Sequence, residues 1–411
     1  MTTVTTSSRL KPIKRFFRDN FDLPLGIAVI TLMAFGFMMV YSASWQNSVN
    51  MGNSSYTVVL KQILFGILGG GLAMALTFFD YHRFRNLVVL GMGVTIILLL
   101  CVLIFGAEGD FGAKRALFNG SVQPSEVAKL VIILYLCVWL YSKRDVLDQW
   151  SFGLIPLMGI LGITAGLILA QPDVSAAATV VVLGGVLFFI AGGKLRQILV
   201  VVLVASIVGF LTVLVYRNAR VRLVDYWNGM QNPENASDHV KWSLEAVIHG
   251  GVFGVGLGRS TTKFIGLPVA ATDSIFAVIA EETGLLGAIF VVSLYIVILW
   301  RGMKIASEAR DDLGRWIAAG ITLWITIEAA INMGVIVNLL PFAGNALPLI
   351  SSGGSSLVTV LMGIGILMGV SRNSRLAGPA SEGSPHGKAV DLRRGYGRRS
   401  VSGPVNPSEP R

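Results

Sequence analysis

Long apolar blocks separated by short polar breaks set the pattern of this chain. They fall at about 24–44, 57–79, 87–106, 124–142, 153–171, 175–192, 197–216, 274–300, 315–340 and 347–371. Each is close to the roughly 20 residues that a helix needs to cross a bilayer core. Backbone groups in lipid must pair within their own segment, so blocks of this kind can only be helices. The pattern predicts an all-α polytopic membrane protein of about ten transmembrane helices. The least marked boundary is the fifth break, where Gln171-Pro172-Asp173 alone interrupts the apolar run. The first block ends in Ser42-Ala43-Ser44, which resembles a signal-peptidase site. Its apolar stretch is too long for a signal peptide, and it is expected to be an uncleaved anchor.

Composition agrees. Hydrophobic residues make up 54% of the chain and charged residues 14%, against about 25% charge in a soluble domain. The net charge of +10 would suit a nucleic-acid binder, but its distribution argues otherwise. Arg9, Lys11, Lys14, Arg15 and Arg18 precede the first block, and Arg83 and Arg85 follow the second. Lys143 and Arg144, Lys194 and Arg196, then Arg301, Lys304, Arg310 and Arg315 occupy later alternate loops. Excess Lys and Arg in cytoplasmic loops fixes orientation. Both termini are therefore expected in the cytoplasm, with anionic headgroups rather than nucleic acid as the partner of the basic surface. This divides the chain into a cytoplasmic tail over 1–23, a membrane domain over 24–371, and a basic tail over 372–411 too poor in apolar residues to fold. A large extracytoplasmic loop over 217–273 joins helices seven and eight. Cys101 and Cys137 lie in apolar blocks and read as small buried hydrophobes.

With that orientation, four segments face outside: 107–123, the break at 171–174, the long segment 217–273, and 341–350 with the Ser/Gly run after it. They hold nearly all the unusual polar residues. The inner loops carry no P-loop, kinase-like or dinucleotide fingerprint. Chemistry is expected outside, where no ATP is available, on a substrate that arrives already activated.

The candidate residues follow from position. Asp273 stands where the long polar segment meets the eighth block; it is either a general base or, with Thr272, a cap of the following helix. Gln123-Pro124-Ser125-Glu126-Val127-Ala128-Lys129 opens the fourth block, with Pro124 suited to the first helical position. Glu126 and Lys129 share a face, either as a structural ion pair or as ligands of a metal and a substrate phosphate. Lys114 and Arg115 upstream could draw in an anionic headgroup. Asp173 is a helix cap or a second acid. Arg217, Arg220, Arg222, Arg259 and Lys263 place positive charge outside, against the topological trend, either as a solvated face near headgroups or for a phosphate ligand. The glycines of Gly250-Gly251-Val252-Phe253-Gly254-Val255-Gly256-Leu257-Gly258 permit close backbone approach to a ligand, but a lone Gly-rich run is weak evidence. Glu281 and Glu282, roughly 12–14 Å further along the helix, suit an internal polar network or a proton path. Ser351-Ser352-Gly353-Gly354-Ser355-Ser356 brings small residues to the start of the last block, for helix packing or a lipid-linked ligand.

Together these motifs resemble the SEDS family of ten-helix peptidoglycan glycosyltransferases, which includes FtsW, RodA and SpoVE. Gln123–Lys129 is similar to its Q-P-S-E-x-x-K motif, and Gln171–Asp173 to Q-P-D. Gly254–Gly258 with Thr272-Asp273 is similar to G-x-G-x-G followed by T-D-F-x-F. Asn332–Gly334 and Leu347–Ser356 are similar to the last two motifs, with Ser355-Ser356 leaning toward the FtsW and SpoVE members. The chain departs from the pattern at Val174-Ser175-Ala176, Ala271, Ser274 and Ser352. The resemblance implies lipid II as substrate and a bacterial plasma-membrane location. It implies that Asp273 takes the proton of the GlcNAc 4-hydroxyl, which attacks the MurNAc anomeric carbon of a growing chain while undecaprenyl pyrophosphate leaves. It implies that Glu126, Lys129, Lys114, Arg115, Asp173, Arg217, Ser351 and Ser355 bind substrate. A divalent cation (Mg²⁺ or Mn²⁺) is the expected cofactor, without a nucleotide. A class B penicillin-binding protein and other divisome or elongasome membrane proteins are the expected partners. Ten helices with intramembrane acids also suit a lipid II flippase, and a scaffold for a partner synthase is a third reading.

Overall fold

The computed structural model describes residues 20–50, 56–108, 114–116, 123–232 and 236–376. The tail after Leu376 and most of the segment before Leu23 lie outside the described residues, as do the side chains of Lys114 and Arg115. The described helices are α1 (Leu23–Asn50), α2 (Thr57–Phe78), α3 (Phe84–Phe105), α4 (Pro124–Lys143), α5 (Ile155–Leu169), α6 (Val174–Ile190) and α7 (Leu195–Val215). They continue as α8 (Arg217–Gln231), α9 (Asp238–Gly250), α10 (Thr262–Ile265), α11 (Ile275–Ser307), α12 (Asp312–Ile336) and α13 (Gly354–Leu376). A two-stranded hairpin, β1 (Ala107–Glu108) with β2 (Lys114–Ala116), follows α3. Among the described residues, 9 helices are long and apolar enough to span a membrane, and α6 is a shorter apolar helix. These are the ten blocks of the sequence.

Two boundaries move. The last helix starts at Gly354 rather than 347, because 347–353 form turns that face the Asp273 segment. The ninth ends at Ile336, since Val337 leaves helical geometry and Asn338 adopts φ 55. The expected eighth block is also not one helix. Gly284, at φ 68 and ψ −167, breaks α11, in a region of backbone space that is essentially glycine-only. The arm 275–282 is buried all along its length, whereas Leu285, Leu286, Ile289 and Phe290 beyond the break are exposed. Residues 285–307 extend about 34 Å at 1.5 Å per residue, enough to cross a bilayer without the first arm.

Polar contacts sort cleanly to the two ends of the bundle. Asp22, before α1, accepts from Arg301 Nε at 3.1 Å and from Arg375 Nη2 at 2.6 Å. His82 faces Asp311 at 3.3 Å, and Lys194 pairs with Asp148 at 3.1 Å. These are the loops read as cytoplasmic, gathered at one end. At the other end all four expected outer segments touch. Gln123 meets Ser355 and Asp173, and the 271–273 turn meets Asn332, Ser351 and Ser352. The core is built by the most enclosed helices, α4, α12 and α13, around Leu136, Leu140, Trp324, Ile325, Val360 and Leu367. Cys137 is buried and Cys101 half-buried.

Candidate functional site

Asp273 sits on a turn that is strapped from several sides. Asn332 Nδ2 on α12 donates to the Asp273 carbonyl at 2.9 Å and to the Asn345 carbonyl at 2.6 Å. Ser351 Oγ donates to Thr272 O at 2.6 Å while accepting from Leu347 N at 2.7 Å, and Ser352 N donates to Ala271 O at 2.9 Å. Gln62 on α2 closes the next layer, donating to Ser351 O at 2.7 Å and accepting from Gly353 N at 3.3 Å. A Cβ at Gly344, itself at φ 64, would lie 3.5 Å from Asp273 Oδ2, so the carboxylate faces the 342–345 segment. Ser274, not Asp273, occupies the N-cap of α11, and its side chain makes no capping bond. Thr272 Oγ1 is turned to Val269 O at 3.1 Å. Thr272 is thus turned away from the cap role, and the Asp273 side chain is half-buried.

Ser274 is held instead by His239 of α9. Its hydroxyl lies 2.7 Å from His239 Nε2 and donates to Pro268 O at 2.7 Å. A hydroxyl has one proton, so His239 donates from Nε2 and its buried Nδ1 carries the lone pair; Nδ1 has no hydrogen-bond partner among the described residues. The His239 ring packs on Phe342 at 4.2 Å, and the Arg222 guanidinium of α8 lies over the same Phe342 ring, 4.8 Å from its centroid. A histidine from a different helix thus reaches the residue after Asp273. Burial, helped by the Arg222 charge, pushes His239 down to about 4. A depressed histidine pKa favours the neutral folded form, so its contribution is complete above pH 6.5 and is lost as pH falls from 6.5 toward 4. Melting curves are expected to show a loss of about 2 kcal/mol between pH 7 and 5 that His239→Gln removes; an unchanged slope in that variant would assign the loss to other groups.

Lys129 is buried one turn below. Its Nζ is 2.9 Å from Glu126 Oε1 and bonded to Glu328 Oε1 on α12. Glu328 and Asn332 are four residues apart on one helix, so the Lys129 cluster lies about 6 Å along α12 from the residue that holds the Asp273 carbonyl. Glu126 Oε2 and Asn332 Oδ1 are buried without partners among the described residues. Buried polar atoms are nearly always paired, so these two acceptors fit a ligand or ordered water.

The remaining motif residues form the adjacent joint. Asp173 caps α6, accepting from Ala176 N at 3.2 Å, and its other oxygen accepts from Ser125 Oγ at 3.4 Å and Gln123 Nε2 at 3.3 Å. Gln123 N donates to Ser355 Oγ at 3.3 Å. Arg217 is exposed at the start of α8, away from these contacts, and the side chains of Lys114 and Arg115 are outside the described residues.

Within the glycine run, Gly250 and Gly254 face protein, whereas Gly251 and Gly258 border open space. A Cβ at Gly254 would lie 2.3 Å from Glu282 O, one at Gly250 2.1 Å from Ala280 O, and one at Gly284 2.4 Å from Gly254 N. Val255 N and Gly256 N donate to Glu281 O and Glu282 O at 3.0 and 3.1 Å, and Leu285 N to Gly251 O at 2.9 Å. The loop thus satisfies the backbone groups freed by the break at Gly284. The two buried acids complete the joint as an internal network. Glu281 accepts from Thr261 N at 2.9 Å, from Ser260 and Thr262 hydroxyls, and faces His249 at 3.0 Å. Glu282 pairs with Lys263 at 2.6 Å, and both touch Ser42 of α1. Gly284→Ala is expected to destabilise by about 1–3 kcal/mol from backbone strain, with the clash added, read as a lowered melting temperature in detergent; an unchanged melt would remove the joint from the account.

Sequence reasoning passed over Glu328, Gln62 and His239. Glu328 carried a readable signal, a lone acid inside an apolar block, which by default marks function. Gln62 and His239 carried none, because their partners are far apart in sequence.

The chain matches the model of the FtsW/RodA/SpoVE family, described as cell cycle proteins, over residues 23–376. A probable peptidoglycan glycosyltransferase FtsW of Trichlorobacter lovleyi is 36% identical over 369 residues, 89% of this chain and 96% of that protein. Stage V sporulation protein E of Bacillus subtilis is 35% identical, covering 86% and 98%. Among solved structures, a chain of a peptidoglycan synthase complex that coordinates polymerization and crosslinking aligns with TM-score 0.69 at 26% identity, over 86% of this chain and 98% of that one. The rod shape determining protein RodA of Thermus thermophilus aligns with TM-score 0.64 at 26% identity, over 86% and 97%.

Proposed function

This chain belongs to the FtsW/RodA/SpoVE family, and from that premise we propose that it polymerises lipid II into glycan strands at the outer face of the bacterial plasma membrane, with Asp273 as general base. The observation that supports this most is the strapped turn. Two separate segments, α12 and 347–353, bond to the carbonyls of Ala271, Thr272 and Asp273, while the half-buried Asp273 carboxylate faces the segment around Gly344.

The chemistry follows from the geometry. Asp273 accepts the proton of a GlcNAc 4-hydroxyl as that oxygen bonds to the MurNAc anomeric carbon of the growing chain. The bond to undecaprenyl pyrophosphate breaks, and the bonding pair leaves with the pyrophosphate. Asn332 and Ser351 position the base through its backbone. Lys129 is held by two carboxylates and keeps Glu126 and Glu328 together. Charge on the departing pyrophosphate then falls to outer basic groups, Arg217 with Lys114 and Arg115 by sequence. No three His, Cys, Asp or Glu residues converge as a metal cage among the described residues. Mg²⁺ or Mn²⁺ fits instead as an ion that enters with the substrate phosphates, its usual mode. A class B penicillin-binding protein, which would crosslink the strands, is the partner this reading implies within the divisome or elongasome.

The test is made in proteoliposomes with fluorescent lipid II and Mg²⁺, with and without the partner synthase. Glycan polymer is expected from lipid II in the leaflet facing the 217–273 loop. Translocation of lipid II between leaflets without polymer in any combination would replace this reading with a flippase.

A further inference from the structure

Helix α8 is built inside out. Its protein-facing side is polar or small: Arg222 lies on Phe342, Tyr226 Oη donates to Leu339 O at 2.9 Å, and Gly229 packs on Ala236. Its outward side carries Leu223, Val224, Trp227 and Met230, with relative exposures of 46, 50, 63 and 60%. Spacing of three and four residues sets these four along one stripe. A helix surrounded by water would present the opposite arrangement.

What covers the stripe follows from what precedes it. Only 11% of the apolar window of α7 is buried within the protein, so nearly all of that helix faces lipid. Phe210, Leu211, Leu214 and Val215 carry its exposed surface up to its last turn. One residue, Tyr216, separates α7 from α8. Arg220 reaches back to the carbonyls of Val213 and Leu214, which fixes the angle between the helices and fills the unpaired end of α7. The lipid-facing surface of α7 is therefore continuous with the apolar stripe of α8 at the outer end of the bundle. Arg217 and Trp227 are residue types that favour the headgroup zone.

We propose that α8 is a membrane-surface helix whose Leu223, Val224, Trp227 and Met230 insert into the outer leaflet of the phospholipid bilayer. Its inner side carries Arg222, which leads through Phe342 and His239 to Ser274 beside Asp273. Immersion of α8 thus sets the depth of the Asp273 turn at the headgroups, where a sugar linked to a lipid pyrophosphate would present its hydroxyl. Immersion itself does not depend on the glycosyltransferase reading; only the activity arm below rests on that reading.

The experiment uses the full chain in nanodiscs of phosphatidylethanolamine and phosphatidylglycerol, with Cys101 and Cys137 replaced by Ala. Spin labels are placed at Val224→Cys, at Trp227→Cys, and at Asn228→Cys off the stripe. Labels at 224 and 227 are expected to show an oxygen-to-nickel collision ratio roughly threefold above that at 228, as for a face immersed 5–10 Å. Equal nickel access at all three sites would overturn the proposal. Protection that appears only after a partner synthase is added would overturn it in favour of a protein interface. As a check without labels, brominated lipid should quench the native protein more than Trp227→Phe; equal quenching counts against immersion. In the activity arm, Val224→Asp with Trp227→Asp should lower polymer yield at least tenfold while Trp227→Phe keeps it. Loss of immersion with full yield would break the link to Asp273 and leave the enzymatic reading intact.

Discussion

Asp273→Asn is expected to fold and insert as the native chain does and to lose polymerase activity by about 10²–10⁴-fold, the usual contribution of a positioned general base. The structure supports both halves. The bonds that hold the turn run to the carbonyls of Ala271, Thr272 and Asp273, from Ser352, Ser351 and Asn332. An amide side chain at position 273 leaves each of them in place. The α11 N-cap position itself is Ser274, and Asn caps a helix as well as Asp does. The melting temperature should therefore shift little, while an amide cannot take the proton of an attacking hydroxyl. Melting in detergent and glycan yield from lipid II check the two halves separately. A variant that fails to fold would make Asp273 structural, and one that keeps activity would remove it from the mechanism.

The second large effect is expected at Lys129. Lys129→Met leaves Glu126 and Glu328 facing each other in a buried site, and an uncompensated buried charge costs about 3–5 kcal/mol. Low yield in the membrane and a sharply lowered melting temperature are expected. Glu328→Gln should be milder, because Lys129 keeps Glu126 at 2.9 Å and Gln still accepts its hydrogen bond. Lys129→Met with Glu126→Gln and Glu328→Gln removes the charges together and is expected to recover most of the lost stability. If Lys129→Met alone melts like the native chain, the cluster does not hold α4 to α12. Activity in the charge-free triple variant then reports whether Lys129 also acts on substrate: full activity confines it to structure, and loss with a recovered melt gives it a chemical role.

The helices were legible because lipid imposes a single rule, about 20 apolar residues per crossing, and the chain obeys it nearly everywhere. The exception was α11, where Glu281, Glu282 and Thr283 stand just before the break but read as polar residues inside one helix. What makes the break stable is a loop more than twenty residues upstream donating to Glu281 O and Glu282 O. The motifs were legible as polar islands, but their roles divided. Asp173 and Ser355 bond to protein groups at the joint between segments, and Ser351 spends its hydroxyl on Thr272 O. The cap at Asp173 is local and was one of its readings in the sequence, but the periodicity of one segment cannot show the other contacts, because each joins positions at least 50 apart. The clearest miss is His239: its sequence neighbours are ordinary, and only the fold carries it to Ser274. Glu328 was visible as a lone acid in an apolar block, yet its pairing with Lys129 needed the packing of α12 on α4.

The most direct test of the central claim compares native protein and Asp273→Asn in nanodiscs with lipid II, Mg²⁺ and a partner synthase whose own glycosyl transfer is absent, with products separated by chain length. The account predicts a ladder of glycan strands from the native protein and unconverted lipid II from Asp273→Asn at equal folded amount. A ladder from both, or from neither while lipid II crosses the bilayer, would contradict it.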